Sequence, residues 1–469
     1  MRSSNIPIHI AARTIDEAYS VGAEGFMFRT MGTGHMSNEL EARTMRKVYL
    51  RLLPFTFALY LICYLDRANI GFAALTMNSD LGFSSYIYGL GAGAFFWGYF
   101  ILEVPSNLIL ERVGARRWIA RIMISWGIVS GCFAFVQGPI SFFTLRFLLG
   151  LAEAGFFPGM ILYFTYWFPP YHRARIIGGF MAAIPVSIGL GAPVSTALLQ
   201  LDGVLGLAGW KWLFLAEAAP ALVLGVSVLF YLTDRPEVAE WLAPEEREWL
   251  SALMAEERRR VAAAGRISVW QSMIDRRVLA LGLIHFCQAG VSVSIAVFVA
   301  QMIKQLGLTN MQTGWMTAVP FVFGTIGIIV WGTISDRMNE RRWNLTAACL
   351  CMAAGLAAAA ALEGSYWSVA ALSVALIGLY AGNAHIFPIP SMFLTGAAAA
   401  SGIAWVNSLG VLAGGVTAPI IGWIKDSTGS FEAGLYFLAL LSVVGAVVTV
   451  LGVRETSAKL AAAAVSVGR

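Results

Sequence analysis

One charged pattern occurs twice in this chain: Asn107-Leu-Ile-Leu-Glu111-Arg112-Val-Gly114-Ala-Arg116-Arg117, and 225 residues later Gly332-Thr-Ile-Ser-Asp336-Arg337-Met-Asn-Glu-Arg341-Arg342. Each copy lies between two long apolar runs. An acid–arginine pair (Glu111, Arg112; Asp336, Arg337) with further arginines four residues on (Arg116, Arg341) has the form of a tight turn joining two membrane helices. Charge of this density cannot stay in hydrocarbon. Its recurrence implies two homologous halves. Internal repeats in an apolar chain are the arrangement of secondary transporters, whose halves rock about a central site.

Composition supports a membrane class. Of 469 residues, 58% are hydrophobic and 13% charged, and the mean hydropathy is +0.71. Soluble globular classes are excluded. Runs of about 20 apolar residues, each enough to cross a core about 30 Å thick, number twelve. The first six cover roughly 48–72, 86–110, 118–136, 140–168, 176–201 and 211–232; the second six begin near residues 278, 311, 345, 367, 392 and 433. The expected fold is therefore an all-α polytopic membrane protein, twelve transmembrane helices in two six-helix halves. The expected divisions are an N-terminal segment 1–47, a first half 48–232, a linker 233–277, a second half 278–453 and a tail 454–469.

Orientation follows from basic residues in short loops, because Lys and Arg resist translocation. Alternate loops hold Arg112, Arg116, Arg117, Arg173, Arg175, Arg337, Arg341 and Arg342, whereas the opposite loops hold Lys211, Lys304 and Lys425. This asymmetry places both termini and the linker in the cytoplasm of a bacterial-type inner membrane. The linker is rich in charge, with Glu245, Glu246, Glu248, Glu256, Glu257 and three arginines from Arg258. It reads as a solvated, partly helical connector, with a regulatory docking surface as the alternative. No secretory signal is visible in the first 46 residues. Met36 leads directly into the first span, so either it is the physiological start or residues 1–35 are disordered. Cys63, Cys132, Cys287, Cys349 and Cys351 all fall in spans without paired spacing, so neither a disulfide nor a metal site is expected.

Ionisable residues in a span each need a partner or a purpose, since one at a helix centre costs about 2.5 to 3.5 kcal/mol on insertion scales. The chain keeps Asp66 and Arg67 in span 1, Glu103 in span 2, and Arg146 and Glu153 in span 4. Asp66 and Arg67 are about 100° apart around the axis. They cannot mainly neutralise each other, so at least one reaches across the bundle. Arg146 and Glu153 share a face about 10 Å apart. The four together suit an anion and a proton; a structural ion-pair network is the alternative. Glu103 reads as structural, with the Asn107 turn. Glu217, beside Trp210 and Trp212, reads as an interfacial anchor. His285, Gln288, His385 and Asn407 are cavity candidates or helix-to-helix glue. Gly178-Gly179 and Gly414-Gly415 read as close-packing positions. Nucleotide-binding loops, zinc-ligand spacing and hydrolase elbows are not convincing, so neither ATP-driven pumping nor enzymatic catalysis is expected. No basic patch interleaved with aromatics points to nucleic acid.

With both charged repeats in view, the chain resembles the major facilitator superfamily and, within it, the anion:cation symporter family. The carrying residues are Tyr64-Leu-Asp66-Arg67-Ala-Asn-Ile-Gly, Glu103-Val-Pro-Ser-Asn107, Arg146-Phe-Leu-Leu-Gly-Leu-Ala-Glu153-Ala-Gly-Phe-Phe-Pro-Gly and Gly209-Trp-Lys-Trp-Leu-Phe-Leu-Ala-Glu217. The runs Glu39-Leu-Glu-Ala-Arg-Thr and Leu232-Thr-Asp-Arg-Pro236 are most similar to the tartrate-transporter branch. The resemblance implies proton-driven import of a small hydroxy dicarboxylate or sugar acid, with the proton as coupling ion and no other cofactor. It implies proton handling by Asp66 and Glu153, and substrate contacts from Arg67, Tyr99, Arg146 and Asn407; His385, a cavity candidate in its own right, joins them as an expected substrate contact. The turn residues Glu111, Arg112, Arg116, Asp336, Arg337 and Arg341 take the gating role. His385-Ile-Phe387 departs from the Pro-Phe-Trp of relatives, which leaves an aromatic carboxylate such as hydroxyphenylacetate open as substrate. A drug exporter is the weaker transport alternative, because Gly189-Leu-Gly191-Ala-Pro193 is followed by Val-Ser-Thr rather than glycines. A membrane sensor would need a signalling domain that the 16 residues after span 12 do not supply. The lipid bilayer is the expected surrounding and a monomer the expected state.

Overall fold

The computed structural model describes residues 30–263, 274–338, 342–386 and 396–452, with the side chains of 30–38, 174, 260–263, 332–337, 384–385 and 396–401 left out. In lipid each backbone polar group must be satisfied internally, and these apolar runs all meet that condition as helices. The first six spans are α1 (Thr30–Leu81), α2 (Ser85–Val113), α3 (Ala115–Cys132), α4 (Pro139–Glu153) with α5 (Phe156–Trp167), α6 (Pro170–Met181) with α7 (Ala183–Leu198), and α8 (Gly209–Tyr231). The linker forms α9 (Pro244–Ala263). The second six are α10 (Arg276–Lys304), α11 (Asn310–Met338), α12 (Arg342–Ala361), α13 (Trp367–Ile386), α14 (Gly396–Thr428) and α15 (Glu432–Gly452). Eleven of the described helices are long and apolar enough to cross a membrane, and α13 supplies a shorter apolar stretch, Trp367–Asn383. Of the residues 1–35 expected to be absent or disordered, 30–35 are helical as the start of α1, and 1–29 lie outside those described.

Two spans are broken. Between α4 and α5, Ala154 is extended (φ −53°, ψ 132°) and Gly155 is left-handed with φ +86°. Only glycine takes that conformation at little cost, and here space demands it too: a Cβ on Gly155 would lie 2.1 Å from Ser106 Oγ. One turn earlier, a Cβ on Gly150 would lie 2.0 Å from the Phe95 carbonyl oxygen, so α2 and α4 cross backbone to backbone. The break therefore falls directly after Glu153 and fixes it against α2. Gly414 and Gly415 pack as expected, with Phe96 and Trp97 of α2 filling the space their side chains would take.

The halves meet where α2 lies along α14, α7 along α11 and α1 against α10. At the end remote from the linker the contact is tight. A Cβ on Gly71 would meet the Ala296 carbonyl oxygen at 2.6 Å, and Tyr88 Oη lies 3.0 Å from both the Ile70 and Val297 carbonyl oxygens. The Asp426 carboxylate of α14 accepts from Ser85 N (2.9 Å) and Tyr86 N (2.8 Å), capping α2 from the other half.

At the other end the linker is docked on the first half. Asp234 Oδ1 accepts from Arg116 N at 2.7 Å, which caps α3 at the first charged turn. Glu246, fully buried, takes Lys47 Nζ at 2.8 Å and Arg43 Nε at 2.9 Å, and Arg43 also pairs with Glu245. Arg173 pairs with Glu257 at 2.6 Å. The expectation of a merely solvated linker gives way to a clasp, because its acids meet the basic ends of α1 and α6. Burial works against the Glu246 charge, but the Lys47 ammonium, the Ala243 N–H and Arg43 outweigh it and hold the carboxyl below its ordinary value.

Candidate functional site

A cavity of about 130 Å³ lies between the halves, lined by Tyr60, Tyr64, Arg67, Phe95 and Tyr99 from the first and by His285, Asn383 and Asn407 from the second, among others. Its charged wall is Arg67. Both Nε and a terminal guanidinium nitrogen lie 2.5 Å from Glu153 Oε1, and Cys63 Sγ approaches the same oxygen at 3.1 Å. The Arg67 guanidinium carbon also sits 5.1 Å from the Tyr64 and Tyr99 ring centres and 5.4 Å from that of Phe95. Arg67 is partly accessible and Glu153 wholly buried, so the cavity sees a cation whose counter-charge stands behind it. Glu153 Oε2 has no hydrogen-bond partner among the described residues. An unmatched buried carboxylate oxygen is costly.

The other two members of the predicted quartet do not line this cavity. Asp66, 1% exposed, accepts from Ser130 Oγ of α3 and from Asn69 Nδ2 at 3.2 Å, and its Oδ2 is unpartnered among the described residues. Arg146, 3% exposed, lies 3.4 Å from the Gly91 and Ala92 carbonyl oxygens and 5.0 Å from the Phe95 ring centre. No carboxylate of the described residues lies within 4 Å of it. Its guanidinium faces the α2 carbonyls and Phe95 rather than the cavity.

Glu103 does more than its expected local role. Asn107 Nδ2 donates to its backbone oxygen at 2.9 Å, but the carboxylate crosses to the second half, taking Asn407 Nδ2 at 2.7 Å and Ser408 Oγ at 3.0 Å. Asn407 therefore touches both the cavity and the inter-half bond. Glu217 is not an interfacial anchor: it is 2% exposed and accepts from Ser195 Oγ at 2.6 Å inside the first half. Gln288 packs within the second half against Cys349 Sγ at 3.5 Å, whereas His285 lines the cavity. His385 falls in α13 and Asp336 and Arg337 in α11, with side chains outside those described, and Arg341 lies outside the described residues. Ser130 and Ser408, and the contact of Cys63 with Glu153, had no signal in the sequence, since a lone hydroxyl or thiol in an apolar run gives none until its partner helix is known.

Two six-helix halves with a cavity between them set the architecture, and the sequence profile of the Major Facilitator Superfamily matches residues 56–401 and 281–467. The chain belongs to the major facilitator superfamily. This facilitator is 52% identical to an Agrobacterium vitis protein named "Putative tartrate transporter", over 92% of the chain and 95% of the relative. It is 38% identical to a quinolone resistance transporter of Acinetobacter baumannii, over 88% and 95%. In fold it is similar to the xylose transporter XylE of E. coli in a partially occluded inward open conformation, with a TM-score of 0.70 at 14% identity, covering 87% and 98% of the two chains. It is a multi-pass membrane transporter and not an enzyme.

Proposed function

We propose that this facilitator is a proton-coupled symporter that imports a small organic anion, a tartrate-like hydroxy dicarboxylate or sugar acid, across the inner membrane by alternating access. The observation that carries the reading is the Arg67–Glu153 pair, a cavity-facing cation balanced by a buried acid. A proton on Glu153 removes the counter-charge and frees the Arg67 fork for a substrate carboxylate, which restores neutrality. Asp66 is the second proton position, held by Ser130 and Asn69 behind the cavity. The neutralised site can then reorient. The Agrobacterium relative supports the tartrate class. The arginine asymmetry supports a cytoplasmic linker end and termini, which makes the sealed far end the outer one. One chain supplies both halves, consistent with a working monomer.

The quinolone resistance relative favours an exporter as second reading. Against it stands the cavity, whose 130 Å³ is below the range of about 300 to 1,000 Å³ typical of drug-sized ligands. Uptake of labelled tartrate into proteoliposomes under an inward proton gradient, with unlabelled carboxylates as competitors, tests the proposal. Gradient-driven accumulation is expected in the wild type. Glu153→Gln and Asp66→Asn are expected to exchange tartrate without accumulating it; full accumulation in both variants would refute the coupling scheme.

A further inference from the structure

A second cavity, of about 730 Å³, opens at the linker end between α1 and the start of α6, with Arg46, Tyr49, Leu53, His172 and Arg175 among its lining residues. On α1 its positions 42, 46, 49 and 53 continue at helical spacing into Tyr60, Tyr64 and Arg67 of the central cavity. Residues at such intervals share one helix face. The two cavities therefore lie along a single stripe of α1, which runs from the substrate cation to the linker end.

Charge is distributed unequally across this end. Of the five cations at the bases of α1 and α6, Arg43, Lys47 and Arg173 are paired with the linker acids Glu245, Glu246 and Glu257. Arg46 and Arg175 have no carboxylate of the described residues within 4 Å, and the Arg175 guanidinium sits 5.4 Å from the Tyr49 ring centre. The acid lining the groove, Glu41, is engaged by Tyr171 Oη at 2.8 Å and faces His172 Nε2 at 3.8 Å. The linker thus cancels the cations on its own side and leaves those of the groove without a carboxylate partner among the described residues.

From this geometry we propose that the groove is an anion-staging site of the translocation path, a second and weaker site for a small carboxylate at the linker-end mouth. This inference rests on the carboxylate reading above. The groove is wide and open, so it acts by concentrating anions rather than by close fit, and salt should screen it. The linker then bears on transport itself, since its acids decide which cations remain to meet substrate.

The test uses membrane vesicles of both sidedness, sorted by protease accessibility of α9, and initial rates of labelled tartrate exchange at equal pH. For the Arg46→Gln/Arg175→Gln double variant, the KM from the linker side should rise about fivefold or more in low salt, and the increase should vanish near 0.5 M salt. The KM from the opposite side should equal that of the wild type, which also reports that the variant is folded. Arg46→Lys/Arg175→Lys should restore the linker-side KM. Wild-type exchange with an unchanged linker-side KM in the double variant would overturn the staging site alone. A KM that followed the phosphatidylglycerol content and not the variant charge would also overturn it, in favour of a lipid headgroup in the groove. Absence of carboxylate exchange by the wild type in either orientation would overturn the functional reading and the staging site together.

Discussion

Arg67 meets Glu153 through two nitrogens and rests among three aromatic rings, a geometry that only a planar, forked cation can satisfy. Arg67→Lys keeps the charge but loses the fork. In uptake assays it is expected to raise KM about 10- to 100-fold, the range for one or two hydrogen bonds to a charged group. Arg67→Gln goes further by leaving Glu153 buried and unpaired, at a cost of about 3 to 5 kcal/mol; thermal unfolding in detergent should show it clearly, and an unchanged Tm would mean that Glu153 is already neutral. The charged residues were legible in the sequence because ionised groups in an apolar run stand out. Their partners were less so. Glu217 read as an anchor because two tryptophans flank it, and only the rotation of α8 against α7, which brings it to Ser195, reveals a core position. Arg146, a substrate contact by family resemblance, packs against α2 carbonyls and Phe95, a placement that its shared face with Glu153 does not reveal.

Among the helices, beginnings were legible and interruptions were not. The second-half starts expected at 278, 311, 345, 367 and 433 are observed at 276, 310, 342, 367 and 432. The breaks at Ala154–Gly155 and Ala182 lie inside unbroken apolar runs, where hydropathy carries no information on φ. Gly155→Ala tests the first break. Its φ of +86° and the 2.1 Å approach to Ser106 Oγ combine backbone strain of about 1 to 2 kcal/mol with a direct clash. The variant should melt several degrees lower and lose most uptake; wild-type behaviour would mean that α4 and α5 can run on as one helix without moving Glu153. The linker helix α9 makes a different prediction. Because the folded state holds the Glu246 carboxyl below its ordinary value of 4.5, this contribution is fully present above that value and is lost as pH falls through the depressed one. Hydrogen exchange of α9, corrected for intrinsic rates, should stay flat across neutral pH and accelerate only in acid below 4.5. Acceleration near neutral pH would place control of the clasp elsewhere.

For the whole molecule, alternating access requires the halves to part at one end while they stay joined at the other. Among the described residues, two carboxylates bridge the halves along α2 and α14. Near the cavity the Glu103 carboxylate holds Asn407 and Ser408, and because Asn407 also lines the cavity, a substrate that takes its amide competes with Glu103. Occupancy of the site and the fit of the halves are thereby linked through one side chain. At the far end, the Asp426 carboxylate caps the first turn of α2. A charge at a helix N-terminus contributes about 0.3 to 1 kcal/mol when exposed and up to about 2 kcal/mol when partly buried. Asp426→Asn keeps the shape of the cap and removes its charge, so it should weaken the far-end seal and leave the linker end untouched. Spin labels on Leu205 and Tyr366, exposed far-end positions of the two halves, read that seal directly. The long-distance population should grow by about five- to tenfold in the variant, the shift that about 1 to 1.4 kcal/mol produces. An unchanged distance distribution would assign closure to the α1–α10 backbone contact at Gly71 and to the Tyr88 hydroxyl of α2, where no charge is at stake.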